Sequence, residues 1–211
     1  TDNGLTQVCG VIGGADMWIP GPERAASLDR FRLRCEQYRT LGLNRVYTPS
    51  GTRRAVTADD VAETPRCIRE VGDIAQEFEL TAMIEFIRTS THLSTLTSAL
   101  ATIREADHPH VSPMLDFFHF WSGLSKFQDL DLLRNGELQH CHFQDLLDTP
   151  RELIDNDSRL IPGDGIAPVG NILRKLKERG FIGALSVELF RAEYVEGDPY
   201  EVGLEIKQKC E

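Results

Sequence analysis

Four acidic or imidazole side chains follow strand-like hydrophobic runs and are of the types that bind divalent metals. They occur as Glu85 in AMIEF, Asp116 in MLDFF, His142 in HCHFQ and Glu188 in LSVELF. Carboxylate oxygens and an imidazole nitrogen suit Mn²⁺, Mg²⁺, Co²⁺ or Zn²⁺, and the set contains no thiolate that would select zinc. These residue types predict a site for one divalent ion, provided that the fold brings the four strand ends together.

Hydrophobic runs alternate with amphipathic segments along the chain, which predicts repeated β-strand and α-helix units. Apolar spacings of three and four predict the helices. One of them ends before Gly42, another begins with Thr64 as cap and Pro65 in the first turn, and Ser90 or Thr91 caps the next. Such units form a parallel sheet covered by helices. The strands are expected near residues 8, 46, 83, 113, 140 and 186.

Polar residues at the ends of four different strands favour a barrel over a doubly wound sheet, because a barrel assembles its site from all of its strand ends. The predicted fold is therefore α/β, a (β/α)8 TIM barrel that forms a single domain over residues 1–211. Six units cannot close a barrel of eight strands. We accordingly expect the first two βα units, roughly 50 to 70 residues, to be missing and the domain to be N-terminally incomplete.

Composition and charge exclude several functional classes. The chain has 211 residues, 41% of them hydrophobic, and a formal net charge of −10, which disfavours binding to nucleic-acid phosphates. Five scattered cysteines without a CxxC pair indicate neither a disulfide framework nor a zinc ribbon. No run reaches the roughly 18 apolar residues of a membrane span. We expect a cytoplasmic protein without nucleic-acid or membrane partners, and the sequence leaves a homo-oligomer open.

Two short motifs and one longer stretch have a specific order and spacing. The motifs are D-x-x-H at Asp116 and His119, and H-x-H-x-x-D at His140, His142 and Asp145. The stretch RLIPGDG precedes a helix and then GFIGALSVELF. Together they resemble the xylose-isomerase-like TIM-barrel superfamily, which includes sugar phosphate isomerases and epimerases and barrels of the AP endonuclease family 2 type. The resemblance covers nearly the whole chain.

This resemblance implies one divalent metal, with Mn²⁺ first and Mg²⁺, Co²⁺ or Zn²⁺ as alternatives, bound by Glu85, Asp116, His142 and Glu188. In the ketose 3-epimerase branch, the glutamates that match Glu85 and Glu188 also move the proton. A carboxylate on each face of a sugar can remove and return the proton α to a carbonyl, while a metal stabilises the enediolate between these steps. The predicted activity is a metal-dependent sugar isomerase or epimerase with a small carbohydrate substrate.

Four further residues are expected to contact the substrate. The resemblance implies that His119 and Arg159 hold substrate oxygens. Trp18 and Trp121 lie in loops on the predicted active face, where an aromatic ring can stack on the apolar face of a sugar, although core packing explains them equally well. His140 points away from His142 in a regular strand, so we expect it to pack or to support a ligand.

Other activities compete with the isomerase. Dehydratases and lyases of the same superfamily, acting on keto-inositols or 3-keto-glycosides, begin with the same proton abstraction, and the ending VELFRAEYVEGDP resembles members grouped with inositol catabolism. A repair endonuclease of the endonuclease IV type is disfavoured, because the first strand ends without histidine, the Asp-x-His motif is absent and the chain is acidic. A non-catalytic binding module would require the four-ligand set to be vestigial.

Overall fold

Parallel strands alternate with helices in the computed structural model, which describes residues 4–13 and 16–210. The chain divides into two compact units, Thr1–Met114 and Leu115–Glu211. The single domain predicted over residues 1–211 stays a prediction. Among the described helices, none combines the length and the apolar composition needed to cross a bilayer.

The first unit is built from parallel strands joined through helices. Neighbouring strands pair in parallel, with Gly10 opposite Val46, and Ala82 opposite Val111. Parallel strands need crossover connections, and each connection here contains a helix, so the predicted βα alternation is confirmed for this part of the chain. The elements are β1 (Gly10–Val11), α1 (Arg24–Thr40), β2 (Arg45–Pro49), α2 (Ala58–Glu77), β3 (Thr81–Glu85), α3 (Leu96–Ala106) and β4 (Val111–Asp116).

The second unit begins within β4 and continues the parallel pairing. Leu115 and Asp116 lie opposite Cys141 and His142, and Cys141 lies opposite Leu185 on its other side. The elements are α4 (Phe117–Ser122), β5 (His140–His142), β6 (Asp145–Leu146), β7 (Arg159–Leu160), α5 (Val169–Glu178), β8 (Ala184–Ser186), α6 (Ala192–Val195) and α7 (Pro199–Cys210), with 3₁₀ turns at Phe127–Leu132, Arg151–Leu153 and Asn156–Ser158.

The helix predicted to begin at Thr64 begins about two turns earlier, because Thr57 forms its cap. The Thr57 hydroxyl accepts a hydrogen bond from the Asp60 amide at 3.2 Å, and the Asp60 carboxylate accepts one from the Thr57 amide at 2.9 Å. This reciprocal arrangement satisfies two amides that have no partner within the helix. Pro65 therefore lies inside α2, and the predicted start at Thr64 is wrong.

The cap predicted at Ser90 or Thr91 is also wrong. Thr95 caps α3 instead, and exchanges hydrogen bonds with Ser98 at 3.1 and 3.2 Å. The Ser90 hydroxyl donates to the Ser50 carbonyl at 2.6 Å, which joins the loops that follow β2 and β3. Ser90 thus connects two loops at the carboxyl ends of strands, where polar residues were expected.

Gly72 lies on the buried face of α2, against the imidazole of His108. A Cβ atom added at this position would lie 2.3 Å from His108 Nδ1 and 2.5 Å from its Cγ. The ring is held on both sides, because Nδ1 accepts a hydrogen bond from the His110 amide at 3.1 Å and Nε2 lies 3.4 Å from Asp73 Oδ1. This contact leaves no room for a methyl group.

We expect Gly72→Ala to destabilise the protein by roughly 1–3 kcal/mol, because the imidazole must leave both of its partners. Gly203→Ala is the matched control. Gly203 lies in α7 and nothing lies within 4 Å of an added Cβ, so alanine there should leave stability unchanged or raise it slightly. Urea denaturation measures both effects, and a Gly72→Ala midpoint equal to that of the wild type would contradict the described packing.

Candidate functional site

Asp116 is the last residue of β4, and its side-chain carboxylate caps α4. Its Oδ1 accepts a hydrogen bond from the backbone amide of His119 at 2.7 Å, the N-cap contact that starts the short helix. Its Oδ2 accepts hydrogen bonds from Gln144 Nε2 and Arg159 Nη1, both at 2.8 Å. Asp116 is fully buried, and these three donors hold its carboxylate in one position.

Arg159 carries a buried positive charge between two carboxylates. Its Nη1 lies 2.8 Å from Asp116 Oδ2 and 2.8 Å from Glu188 Oε2. The guanidinium carbon also lies 4.3 Å from the centroid of the Phe118 ring and 5.1 Å from that of Phe190. These rings exclude water from the cation and thereby strengthen its attraction to both carboxylates.

His142 meets the two carboxylates from β5. Its Nδ1 lies 3.4 Å from Asp116 Oδ2 and 3.3 Å from Glu188 Oε2. One ligand atom from each of these three residues lies within 4.8 Å of the other two. Bonds from a divalent ion to such atoms are about 2.0–2.2 Å long, so small movements let all three share one ion. The second unit therefore brings together three of the predicted metal ligands.

Asp116 is ionised in spite of its burial. Burial by itself raises the pKa of this carboxyl, but the positive charge of Arg159, together with His119 and His142, outweighs burial and holds the pKa well below its usual range. A carboxylate must be deprotonated to bind a cation. Asp116, His142 and Glu188 form a cluster. This cluster consequently keeps a negatively charged side chain, that of Asp116, at neutral pH.

Glu85 belongs to the first unit, where it is the last residue of β3 and is buried. Ser50 supports the chain on both sides of it: the Ser50 amide donates to the Glu85 carbonyl at 2.9 Å, and the Ser50 hydroxyl accepts from the Ile87 amide at 2.9 Å. In the strand register, Glu85 lies opposite Met114 of β4. Its backbone position is thus fixed at the carboxyl end of a central strand.

Two histidines are packed around the cluster. His119 is buried, and its Nε2 lies 3.3 Å from Arg159 Nη2. His140 is also buried, and its ring meets that of His142 edge to face with 6.0 Å between the centroids. His119 therefore lies beside the residue with which it was predicted to bind substrate, and His140 packs against a predicted ligand.

The two tryptophans predicted to stack on a substrate lie in different units. Trp18 is fully buried in the first unit, and its Nε1 donates to the Pro49 carbonyl at 3.3 Å. Trp121 is partly exposed in the second unit and lines a cavity of about 340 Å³. Stacking of either ring on a sugar stays a prediction.

Sequence reasoning missed Gln144 and Phe190. Gln144 is fully buried and its amide donates to Asp116, so it fixes a predicted ligand directly. A polar residue just beyond the end of a strand is the signal that would have found it. Phe190 gives no comparable signal, because an aromatic side chain after a strand is typical of ordinary core packing.

Asp145 fixes the loop that follows Arg159. Its Oδ1 accepts hydrogen bonds from the amides of Leu146 and Ala167 at 2.8 Å, and its Oδ2 accepts one from the Gly163 amide at 3.1 Å. Leu146 in turn lies opposite Arg159 in the antiparallel pair of β6 and β7. The carboxylate therefore fastens the RLIPGDGIA segment to β6, the strand beside Arg159.

We expect Asp145→Ala to lower the free energy of unfolding by roughly 1–3 kcal/mol, because three amide donors lose their acceptor. Hydrogen exchange at the Gly163 and Ala167 amides should accelerate as the loop loosens. Asp148→Ala is the matched control, since Asp148 follows Asp145 by three residues and has an exposed side chain. Unchanged exchange at these two amides in Asp145→Ala would show that the carboxylate does not hold the loop.

The family model described as xylose isomerase-like TIM barrel matches residues 1–209. The chain belongs to the xylose isomerase-like TIM barrel family. This membership confirms the predicted superfamily and the TIM-barrel fold class.

Individual relatives are more distant. An inosose isomerase from Bacillus licheniformis is 27% identical over 170 residues, which cover 79% of this chain and 61% of that relative. The chain thus spans about three fifths of that protein's length. A 3-dehydroshikimate dehydratase from Pseudomonas putida is 25% identical over 169 residues, 78% of this chain and 26% of the dehydratase.

A solved structure of an IOLI protein with a bound zinc atom has the same fold. The TM-score is 0.86 at 23% sequence identity, and the match covers 96% of this chain and 74% of that one. At this level of identity, the likeness shows the fold alone.

Proposed function

We propose that this chain carries the site of a divalent-metal-dependent isomerase or epimerase, which moves the proton α to the carbonyl of a polyhydroxy ketone. The observation that carries the proposal is the cluster in which His142 lies 3.4 Å from Asp116 and 3.3 Å from Glu188. Such a cluster suits the cation that α-proton abstraction requires. Similarity to inosose isomerase makes keto-inositols the first substrates to test.

We infer that Glu85 is the fourth metal ligand. Glu85 lies opposite Met114, which precedes Asp116 by two residues in β4. Paired neighbours and alternate residues of a strand point to the same face of a sheet, so the side chains of Glu85 and Asp116 leave the same face. With His142 and Glu188 they form a set that suits one divalent ion.

Mn²⁺ is our proposed metal. Three carboxylates and one imidazole form a donor set dominated by hard oxygen atoms, which suits Mn²⁺ and also accepts Mg²⁺, Co²⁺ or Zn²⁺. The IOLI structure, whose fold is similar, contains zinc. Reconstitution of metal-free protein with each ion, followed by an activity assay, ranks them directly.

The protein's own residues transfer the proton and bind the substrate. When bound, the ion supplies a Lewis acid for the negative charge that develops on the carbonyl oxygen and its neighbour. Glu85 ends β3 and Glu188 follows β8, so that one removes the α-proton and the other returns a proton. His119 and Arg159 hydrogen-bond the substrate oxygens and fix which face of the ketone each glutamate meets.

We expect Glu188→Gln to lower exchange of the α-proton with solvent deuterium by roughly 10²- to 10⁴-fold, because an amide cannot accept that proton. Bound Mn²⁺ should also decrease, because one anionic ligand is lost. The assay supplies Mn²⁺ with ketohexoses, ketopentoses, keto-inositols and 3-keto-glycosides. For the wild type, exchange without net conversion would still support proton abstraction. No exchange by the wild type with any of these substrates would refute the proposal.

Glu196→Gln is the control for this substitution. Glu196 has an exposed side chain after α6, so both exchange and metal content should equal those of the wild type. If Glu188→Gln also retains full exchange and full metal content, Glu188 has no place in the site.

A dehydratase is the second candidate, favoured by the similarity to 3-dehydroshikimate dehydratase. Both reactions begin with loss of the α-proton, but dehydration then expels a β-hydroxyl group as water. Mass spectrometry of the products separates them, because an isomer keeps the mass of the substrate and a dehydration product is lighter by one water. The cytoplasmic location and a homo-oligomeric state stay predictions.

A further inference from the structure

Gln144 carries a buried amide group with only one of its two ends hydrogen-bonded. It follows the last residue of β5 by two positions, and its side chain is fully buried. The Nε2 group donates to Asp116 Oδ2 at 2.8 Å, whereas Oε1 has no hydrogen-bond partner among the residues that the structure describes. A buried acceptor without a donor costs free energy comparable to that of a lost hydrogen bond. Oε1 therefore indicates a donor that the described residues do not supply.

The bond to Asp116 fixes the orientation of this amide. An ionised carboxylate can only accept hydrogen bonds, so a reversed amide would set its oxygen against Asp116 Oδ2 and the two acceptors would repel each other. The neighbouring Asp145 shows the contrast, because its carboxylate accepts three hydrogen bonds from backbone amides. Gln144 Oε1 is thus held in place as an acceptor.

This acceptor lies beside the cluster of Asp116, His142 and Glu188. Covalent geometry holds Oε1 about 2.3 Å from Nε2, so it lies within roughly 5 Å of Asp116 Oδ2. The same carboxylate oxygen lies 3.4 Å from His142 Nδ1 and 2.8 Å from Arg159 Nη1. A substrate held at this cluster therefore comes within reach of Gln144.

The charges of the cluster determine the kind of donor that can bind there. Arg159 compensates one of the two carboxylates that it contacts, those of Asp116 and Glu188. With Glu85 as proposed, the two negative charges that remain match one divalent ion. A cationic donor buried beside this set would keep an uncompensated charge, which is costly. A neutral hydroxyl group, of which a polyhydroxy ketone has several, carries no such cost.

We propose that Gln144 Oε1 accepts a hydrogen bond from one hydroxyl group of the substrate and thereby selects against analogues that lack this hydroxyl. Such an analogue leaves the buried acceptor unpaired when it binds, which is the most effective way for a site to reject it. The inference rests on the proposed function, because it places a polyhydroxy ketone at the cluster. It gives Gln144 a role in substrate choice in addition to its contact with Asp116.

Isothermal titration of the Mn²⁺-loaded protein tests this contact as a thermodynamic cycle. The ligands are 2-keto-myo-inositol and D-fructose, each with the analogues that lack a single hydroxyl. For the wild type, the analogue without the paired hydroxyl should have a dissociation constant about tenfold or more above that of its parent. Gln144→Met replaces the amide by an apolar side chain of similar length, so this ratio should fall towards one.

A purely structural role for Gln144 gives a different result. If the amide only orients Asp116, Gln144→Met weakens the binding of parents and analogues equally and every ratio stays at its wild-type value, which overturns the proposal. Gln128→Met is the matched control. Gln128 has an exposed side chain in the 3₁₀ turn Phe127–Leu132, so this variant should keep all wild-type ratios. Thermal denaturation checks that both variants fold.

A second measurement needs only the wild type. In the deoxyfluoro analogue, fluorine occupies the place of the paired hydroxyl but cannot donate a hydrogen bond. We expect this analogue to bind as weakly as the deoxy analogue. Binding as tight as that of the parent would overturn the proposal, because the contact would then need no donor.

Binding and proton exchange together separate this inference from the proposed function. If binding depends on Gln144 as expected but no ligand exchanges its α-proton with solvent deuterium, the proposed function fails and the contact with a polyol stands. If exchange occurs while the ratios do not depend on Gln144, the proposed function stands and the contact is wrong. Absence of binding of both parents to the wild type also overturns the contact.

Discussion

The ion pairs that Arg159 makes with Asp116 and Glu188 are the contacts on which the rest of the site depends. Two carboxylates that both approach His142 within 3.4 Å repel each other, and the guanidinium 2.8 Å from each offsets that repulsion. Removing one partner from a buried ion pair typically costs roughly 3–5 kcal/mol, because the other charge is left without compensation. The net charge of these side chains matches a divalent ion. With Glu85 as proposed, three carboxylates and one guanidinium leave two negative charges, which a divalent ion offsets.

The fold places these charges by simple means. Parallel strands end on the same side of a sheet, so β4 and β5 deliver Asp116 and His142 as neighbours in register. Arg159 comes from outside the parallel strands, on the antiparallel pair of β6 and β7, and Asp145 fastens the loop that follows it. Asp116 both ends a strand and starts a helix, and its carboxylate accepts a hydrogen bond from the first turn of that helix.

The sequence predicted most of the fold and three of the residues that meet in the candidate site, because both depend on local patterns. Strand-length apolar runs and a polar residue at each strand end were enough to find Asp116 and His142. Helix starts were harder to predict. Thr64 followed by Pro65 matched the pattern of a cap, but Thr57 and Asp60 exchange the two hydrogen bonds that start the helix. Gln144 and the β6–β7 pair were not predicted, because a two-residue ribbon leaves no periodicity to detect.

Anomalous diffraction at the manganese edge, from crystals of the protein grown with Mn²⁺, would locate the bound ion and its ligands. Four residues are proposed to bind a single ion. We expect one anomalous peak, roughly 2.0–2.4 Å from ligand atoms of Glu85, Asp116, His142 and Glu188. A peak that lacks His142 or Glu85 among its ligands, or no peak at all between these side chains, would contradict it.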